Sequence, residues 1–464
     1  MKFLRASLVI ILSVLFAASC RKTSFITSPN ASVTFSTDTL HFDTVFTTAG
    51  SITQSFKIFN QNDQKLRLSA VRLMGDGSSP FKINVDGTAG TNFSDIELEP
   101  NDSVYVFVSV TINPGAANLP FIVRDSILVN YNGRNQYFQL EAFGQNAHFL
   151  RNQRVTADTV WTNDLPFVIL GSLSVDSNAT LTINKGSKIY SHSDAPFIVN
   201  GSLKVNGEVD DSTRVTFSGD RLDEGYRDLP AAWPGIYFTA SSVNNQLTYA
   251  VIKNAYQGII TQSTITADAK ISLDRCIIDN IYDAGILSIG SSIKAVNCLI
   301  SNCGSNISIS AGGSYSFDFC TVASFATDYI NHKNPVLSIS NSYGQNQTLP
   351  LFARFRNCIF YGDGGLVANE VVVNKSTTTY PFDLTFQNVL YKNTDASIDQ
   401  LFTNSIKNES PQFDTIDGGR RIFDFHLKPT SPAIDRGVAT GVNIDLDGRP
   451  RGTSNLPDLG CYEQ

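Results

Sequence analysis

Three groups of side chains in this sequence carry chemistry beyond folding. Seven cysteines (Cys20, Cys276, Cys298, Cys303, Cys320, Cys358 and Cys461) offer sulfur to a metal, a redox partner or a lipid. No CxxC pair occurs among them, which argues against a zinc ribbon or a thiol-exchange motif. The run Asn443-Ile444-Asp445-Leu446-Asp447-Gly448 sets oxygen ligands at alternate positions ahead of a glycine, as a calcium loop does. It lacks the distal glutamate of an EF-hand, and Asp-Gly also makes a plain turn. Calcium on Asn443, Asp445 and Asp447 is the one cofactor the pattern suggests. Tyr256 and Tyr282 occupy equivalent places in neighbouring repeats, and Asp283 follows the second directly. Paired rings with a carboxylate beside them suit a sugar face, and the same rings equally serve as packing. GxSxG, HExxH and P-loop signatures are all absent.

The elements that must position these groups are strands. The 464 residues are 42% hydrophobic and 17% charged, with 31 Phe, 16 Tyr and 32 Gly. Val, Ile, Thr and Phe fill the apolar runs, and no stretch sustains a 3.6-residue period. That excludes a disordered chain and predicts an all-β protein. A formal charge of −7 argues against nucleic acid as a partner, because phosphate binding needs clustered Lys and Arg.

Spacing divides the chain. Between residues 32 and 147, runs such as Ser55 to Asn60 and Ser103 to Val108 alternate with period two. Asp76-Gly77, Asn101-Asp102 and Asn132-Gly133 punctuate them, which predicts a β-sandwich. From residue 148 repeats take over. Residues 166–175 recur as 196–205, and a shorter unit recurs at Ala250, Cys276, Cys298, Cys320, Cys358 and Val389. Its steps are 26, 22, 22, 38 and 31 residues. About 22 residues make one rung of a right-handed parallel β-helix over 148–430, and the longer steps carry loops. Each unit is too small to bury its own apolar residues, so stacking must build the core. The cysteine position and the residue two later are expected to point inward as inert thiols and aliphatics. Asn254, Asn280, Asn302 and Asn393, four places on, are expected to form a buried asparagine ladder.

Four resemblances accompany this reading. Residues 1–20, with Lys2, Arg5, an apolar run and Ala17-Ala18-Ser19-Cys20, resemble a bacterial lipoprotein signal. This implies removal of residues 1–19, lipid attachment at Cys20, a linker over 20–31 and membrane anchoring through the lipid. Arg21-Lys22 in place of an acidic pair points to the outer membrane of a Gram-negative bacterium, periplasmic or surface-facing. Ser55 to Asn60, Phe81-Lys82-Ile83, Ile96 to Pro114 and Phe138 to Gly144 resemble, in order, Ig-like domains of the abnormal-spindle/hydin type.

Ser431-Pro432-Ala433-Ile434-Asp435-Arg436-Gly437, Asp445 to Arg451 and Asp458 to Glu463 resemble the choice-of-anchor Q terminus of bacterial β-helix proteins. Residues 431–464 are thereby expected to cap the open end of the helix, with Asp435 paired to Arg449 or Arg451. Trp233-Pro234-Gly235-Ile236 looks like the opening of a rung in related β-helix proteins, with Trp233 as packing. Many β-helix proteins are pectate-type lyases or polygalacturonases. The polygalacturonase order fails, since Asn393-Thr394-Asp395 follows Asp210-Asp211 and the GHG and RIK motifs are missing. Asp283, Asp328, His332 and Lys333 read as solvated loop residues whose spacing makes no lyase site. The expected function is non-catalytic binding of a polysaccharide or other extended surface polymer along the β-helix. Lyase or hydrolase action, and a plain spacer, stand as alternatives.

Overall fold

A computed structural model describes residues 24–46, 50–113, 121–262, 269–344, 347–376, 380–452 and 455–464. The signal segment and Cys20 lie outside the described residues. Among those described, regular structure is all β apart from two short 3-10 turns. No helix is long and apolar enough to cross a membrane. The chain forms two compact units that divide between Asn146 and Ala147.

In the first unit, two five-stranded sheets enclose one core. Gln54–Asn60 lies between Val33–Phe35 and Ser103–Val110 in one sheet. Phe121–Tyr131 pairs with Arg134–Gln145 in the other. The period-two alternation sends Phe56, Ile58 and Val106 inward from the first sheet, and Val129, Phe138 and Leu140 from the second. Phe56 stacks on Phe138 at 3.6 Å between ring centroids. The stretch expected as a linker is partly built in: Phe25 bridges Lys65, and Ala31 is buried in the core.

The second unit is built on a 26-stranded sheet wound into rungs. Each full rung adds a parallel strand to three faces. One face reads Gln246, Ser272, Lys294, Ser316, Arg354 and Thr385 in register. A second stacks Ile236, Ile259, Ile286, Ile307, Leu337 and Val371 inside the core. The third carries the cysteine repeat, through Val251, Ile277, Leu299, Thr321, Ile359 and Leu390.

On that third face Cys276, Cys298, Cys320 and Cys358 are buried in the core as free thiols, and so are the residues two later. Burial pushes the thiols of Cys276, Cys298 and Cys320 far above their ordinary pKa. Cys303, whose role the repeats left open, is another free core thiol; Cys461 is buried in a separate apolar cluster.

The corners of the rungs are left-handed. Asn254, Asn280 and Asn302 take φ of 62°, 56° and 49°, a region asparagine tolerates better than most residues. The asparagine ladder is shorter than expected. Asn280 donates to the Asn254 side chain at 2.9 Å, but Asn302 instead meets Asp279 at 3.4 Å and accepts from the Phe325 N–H. Asn393 turns away to hydrogen-bond both backbone groups of Val371.

Residues 431–452 and 455–464 do not close an end. They lie along the outer side of the third face, where Val251, Ile277, Leu299, Ile359 and Leu390 point away from the thiol core. Leu299, Ile359 and Leu390 form an apolar cluster with Ala433, Leu446, Leu459 and Cys461, joined by the hairpin of Phe413–Asp417 and Ile422–Leu427. Backbone carbonyls of Arg436, Val438 and Ile444 accept in turn from the side chains of Asn388, Asn357 and Asn297. Arg214 then reaches the carbonyl of Leu446 at 3.4 Å. The segment therefore runs back across several rungs, because an apolar outer strip needs a cover more than the end does. The expected pairing also differs: Asp435 meets Asn455, whereas Arg451 pairs with Glu463 at 3.0 Å.

Candidate functional site

The corner after the third face is where solvent-facing chemistry gathers. Trp233 anchors it from inside, 1% exposed, with its indole N–H on the carbonyl of Lys253 at 2.9 Å. The backbone then climbs rung by rung: the N–H of Tyr256 bonds to Trp233, that of Tyr282 to Ala255, and that of Gly304 to Ile281. Gly235 makes the first step possible. Its φ is +119°, and a Cβ there would stand 1.7 Å from the carbonyl oxygen of Gln257.

This ladder brings Tyr256 and Tyr282 together as expected. Their rings stack at 5.6 Å with 26° between planes, and the residues are 45% and 52% exposed. Packing does not require that exposure, since the core of these rungs is already filled by Ala255 and Ile281. Asp283 lies beside the rings and accepts from the side-chain amide of Gln257 at 2.7 Å. Two rings and a carboxylate–amide pair thus face solvent on adjacent rungs. Such a surface presents half-exposed aromatic rings beside polar atoms that can exchange hydrogen bonds with hydroxyls.

Where Thr321–Phe325 and Ile359–Asp363 run on past that corner, a cavity of about 560 Å³ opens beside them. Phe325, Tyr361, Phe413 and Ile416 give it apolar walls, and Asp363, Gln412, Ser410 and Lys428 give it polar ones. Phe325 sits 6.3 Å from Tyr361 and 6.2 Å from Phe413, ring to ring. Lys392 donates to the carbonyl of Gly362 at 2.6 Å and lies 3.5 Å from Asp363, which offsets that carboxylate. None of these residues stood out in the sequence. The register held a signal, because Phe325 and Asp363 are each five places after a repeat cysteine and pair directly.

The loop residues separate into two kinds. Asp328 and Lys333 are exposed. His332, expected in solvent, is buried, with its Nε2 2.8 Å from Oε1 of a fully buried Glu370. Glu370 also accepts from the N–H of Val336, so the pair clamps the loops leaving two rungs. Only glycine fits beneath them: a Cβ on Gly362 would lie 2.3 Å from His332.

The three residues of the calcium pattern form a tight turn. Oδ1 of Asp445 accepts from the N–H groups of Asp447 and Arg449, and Oδ2 from that of Glu463. Asp447 hydrogen-bonds to Nε2 of His426 at 2.9 Å, while Nδ1 of His426 faces Asp424. The bond to Asp447 raises the His426 pKa, aided by Asp424 and opposed by burial. Asn443 is exposed and lends its carbonyl to the Arg451 N–H. Among the described residues, no three His, Cys, Asp or Glu side chains converge as a metal site.

No family model matches this sequence, and no curated protein matches it. Solved structures give partial likenesses. A family 123 glycoside hydrolase from Clostridium perfringens, described through glycolipid glycan hydrolysis, is 15% identical with a TM-score of 0.19, covering 27% of this chain and 26% of that one. The alkylpurine DNA glycosylase AlkC of Pseudomonas fluorescens, bound to DNA with an abasic site analog, is 13% identical with a TM-score of 0.17, covering 25% and 31%. The chain thus spans about a quarter to a third of the length of these two. The ASH/PapD-like domain 7 of human CEP192 is 10% identical with a TM-score of 0.18, covering 28% of this chain and 94% of that domain.

Proposed function

We propose that this chain is an exported lipoprotein, anchored through Cys20 in the outer membrane of a Gram-negative bacterium. Its right-handed parallel β-helix binds a neutral polysaccharide without cleaving it, and its N-terminal sandwich is an Ig-like spacer of the abnormal-spindle/hydin type. The spacer reading is supported by the order of sequence features from Ser55 to Gly144. The anchor reading is supported by the basic start, apolar run and small residues ahead of Cys20. The intact mass of detergent-extracted protein is expected to show a diacylglyceryl-type adduct on a chain beginning at residue 20. A water-soluble product with an unmodified Cys20 would sink that part.

The binding reading is carried by the stacked, half-exposed Tyr256 and Tyr282. Ring positions on adjacent rungs recur at about 4.8 Å, close to the length of one hexose unit. An acidic chain favours neutral over polyanionic glycans. Each ring is expected to contribute about 1 kcal/mol, roughly fivefold in affinity. Retention in native gels cast with cellulose derivatives, xylan, mannan, starch or β-1,3-glucan should fall stepwise in Tyr256→Ala, Tyr282→Ala and the double variant. Retention of the wild type on none of these would overturn the reading and leave the spacer. New reducing ends, or products absorbing in the ultraviolet, would move the protein to the hydrolase or lyase class.

A further inference from the structure

We infer that the cavity beside Phe325 and Lys428 binds a small organic acid, with its carboxylate on the Lys428 wall and an aromatic or alkyl body against the rings. This site is separate from the tyrosine corner and does not depend on any glycan bound there.

Charge comes first. Asp363 and Lys428 are the charged residues that line the cavity. The Asp363 carboxylate lies 3.5 Å from the Lys392 ammonium, which also stands 5.3 Å from the centroid of the Tyr361 ring. Asp417, on the hairpin that carries Lys428, is held by Arg420 at 3.5 Å. Lys428 itself is exposed and forms no ion pair with any described residue. One positive charge is therefore left over at the rim, in a chain whose formal charge is −7. It calls for an anion.

Hydrogen-bonding capacity on the same wall points the same way. Oε1 of Gln412 accepts from the Thr430 hydroxyl at 2.5 Å, which leaves its NH2 group to donate. Oγ of Ser410 accepts from the Gln412 N–H at 3.2 Å, which leaves its own proton to donate. The Gln412 carbonyl is taken by the Lys428 N–H at 2.9 Å. With the ammonium, the wall offers three kinds of donor beside acceptors that are already engaged. A carboxylate only accepts, so it suits this wall better than a hydroxyl, which brings a proton of its own.

The facing walls are apolar and unfinished. Phe325, Tyr361 and Ile416 pack on the buried cluster of Phe413 and Phe425, yet each remains only half-buried. Filling the concavity with an apolar body would take their remaining surface out of water, which is the usual driving force in a ligand pocket. About 560 Å³ lies in the range that encloses a small molecule. A sugar acid would satisfy Lys428 and leave the rings wet, while a neutral apolar molecule would do the reverse. A carboxylate joined to a ring or short alkyl chain uses both walls.

Calorimetry with phenylacetate, indole-3-acetate and octanoate decides it, each set against its neutral amide and all against galacturonate. Wild type is expected to bind at least one of the acids, about fivefold tighter than its amide and tighter than galacturonate. Lys428→Gln, at an exposed position, should weaken that acid about fivefold and leave the amide unchanged, whereas Lys428→Arg should retain most of the affinity. Added salt should weaken the acid and spare the amide. Ile416→Ala should weaken acid and amide alike. An amide as tight as its acid, or an acid indifferent to Lys428→Gln, would overturn the carboxylate site. Galacturonate bound as tightly as the best acid would overturn the apolar half. Binding of none of the acids would overturn the whole inference, and each of these results leaves the tyrosine corner untouched.

Discussion

Cys298→Asp is expected to destabilise the β-helix by about 4 kcal/mol at pH 7, the free energy of holding a carboxyl protonated about three units above its ordinary pKa. Cys298 is fully buried between Cys276 and Cys320, within a stack whose thiols meet backbone carbonyl oxygens and one another. The new carboxyl must stay protonated or carry its charge into a close-packed core, and either course is costly. Cys298→Ala is the control, losing one sulfur atom and costing about 1 kcal/mol. Urea unfolding followed by far-ultraviolet circular dichroism measures both. If the aspartate variant came within 1 kcal/mol of the alanine variant, the thiol stack would not be the dry core described.

Arg451→Ala is expected to cost about 3–5 kcal/mol and to lift residues 431–464 from the side of the helix. The Arg451 side chain is 1% exposed. It donates to Glu463 at 3.0 Å, to the side-chain oxygen of Asn297 twice, and to the carbonyl of Gly460. Its guanidinium also lies 4.2 Å from the Phe319 ring centroid. Truncation leaves Glu463 and Asn297 without their partner in a site closed to water. Arg451→Lys should recover only part of the loss, because an ammonium cannot reproduce the planar fork. Unfolding curves, with a dye that fluoresces on exposed apolar surface, check both effects. An alanine variant within 1 kcal/mol of wild type that binds no extra dye would refute the role.

The rungs were legible in the sequence because their inward positions repeat in kind as well as in spacing. Cys276, Cys298, Cys320 and Cys358 with Ile278, Ile300, Val322 and Phe360 state the third face outright. Tyr256 and Tyr282 followed from the same register. The lateral course of residues 431–464 was missed, although a signal was present. Ile277, Leu299, Ile359 and Leu390 make continuous apolar runs with their inward neighbours, and a strand apolar on both sides must be covered on both sides. The cavity was hidden for another reason. Phe325 and Tyr361 come from neighbouring rungs, but Phe413, Ile416 and Lys428 come from a hairpin whose seat on the solenoid no local pattern states. The burial of His332 was likewise unreadable, since its partner Glu370 lies 38 residues away across two loops.

The path of residues 436–448 has a mechanical consequence. Between rungs, load along the solenoid axis is carried by hydrogen bonds, while the peptide chain winds around the axis and bears little of it. Beside the third face the peptide chain itself runs lengthwise, tied at Asn388, Asn357, Asn297 and Arg214. Covalent bonds there act as an inextensible tendon on one side of an otherwise hydrogen-bonded spring. Under tension the strapped side holds its rung spacing and the two unstrapped faces yield first, so the rod bends toward its strap before it stretches.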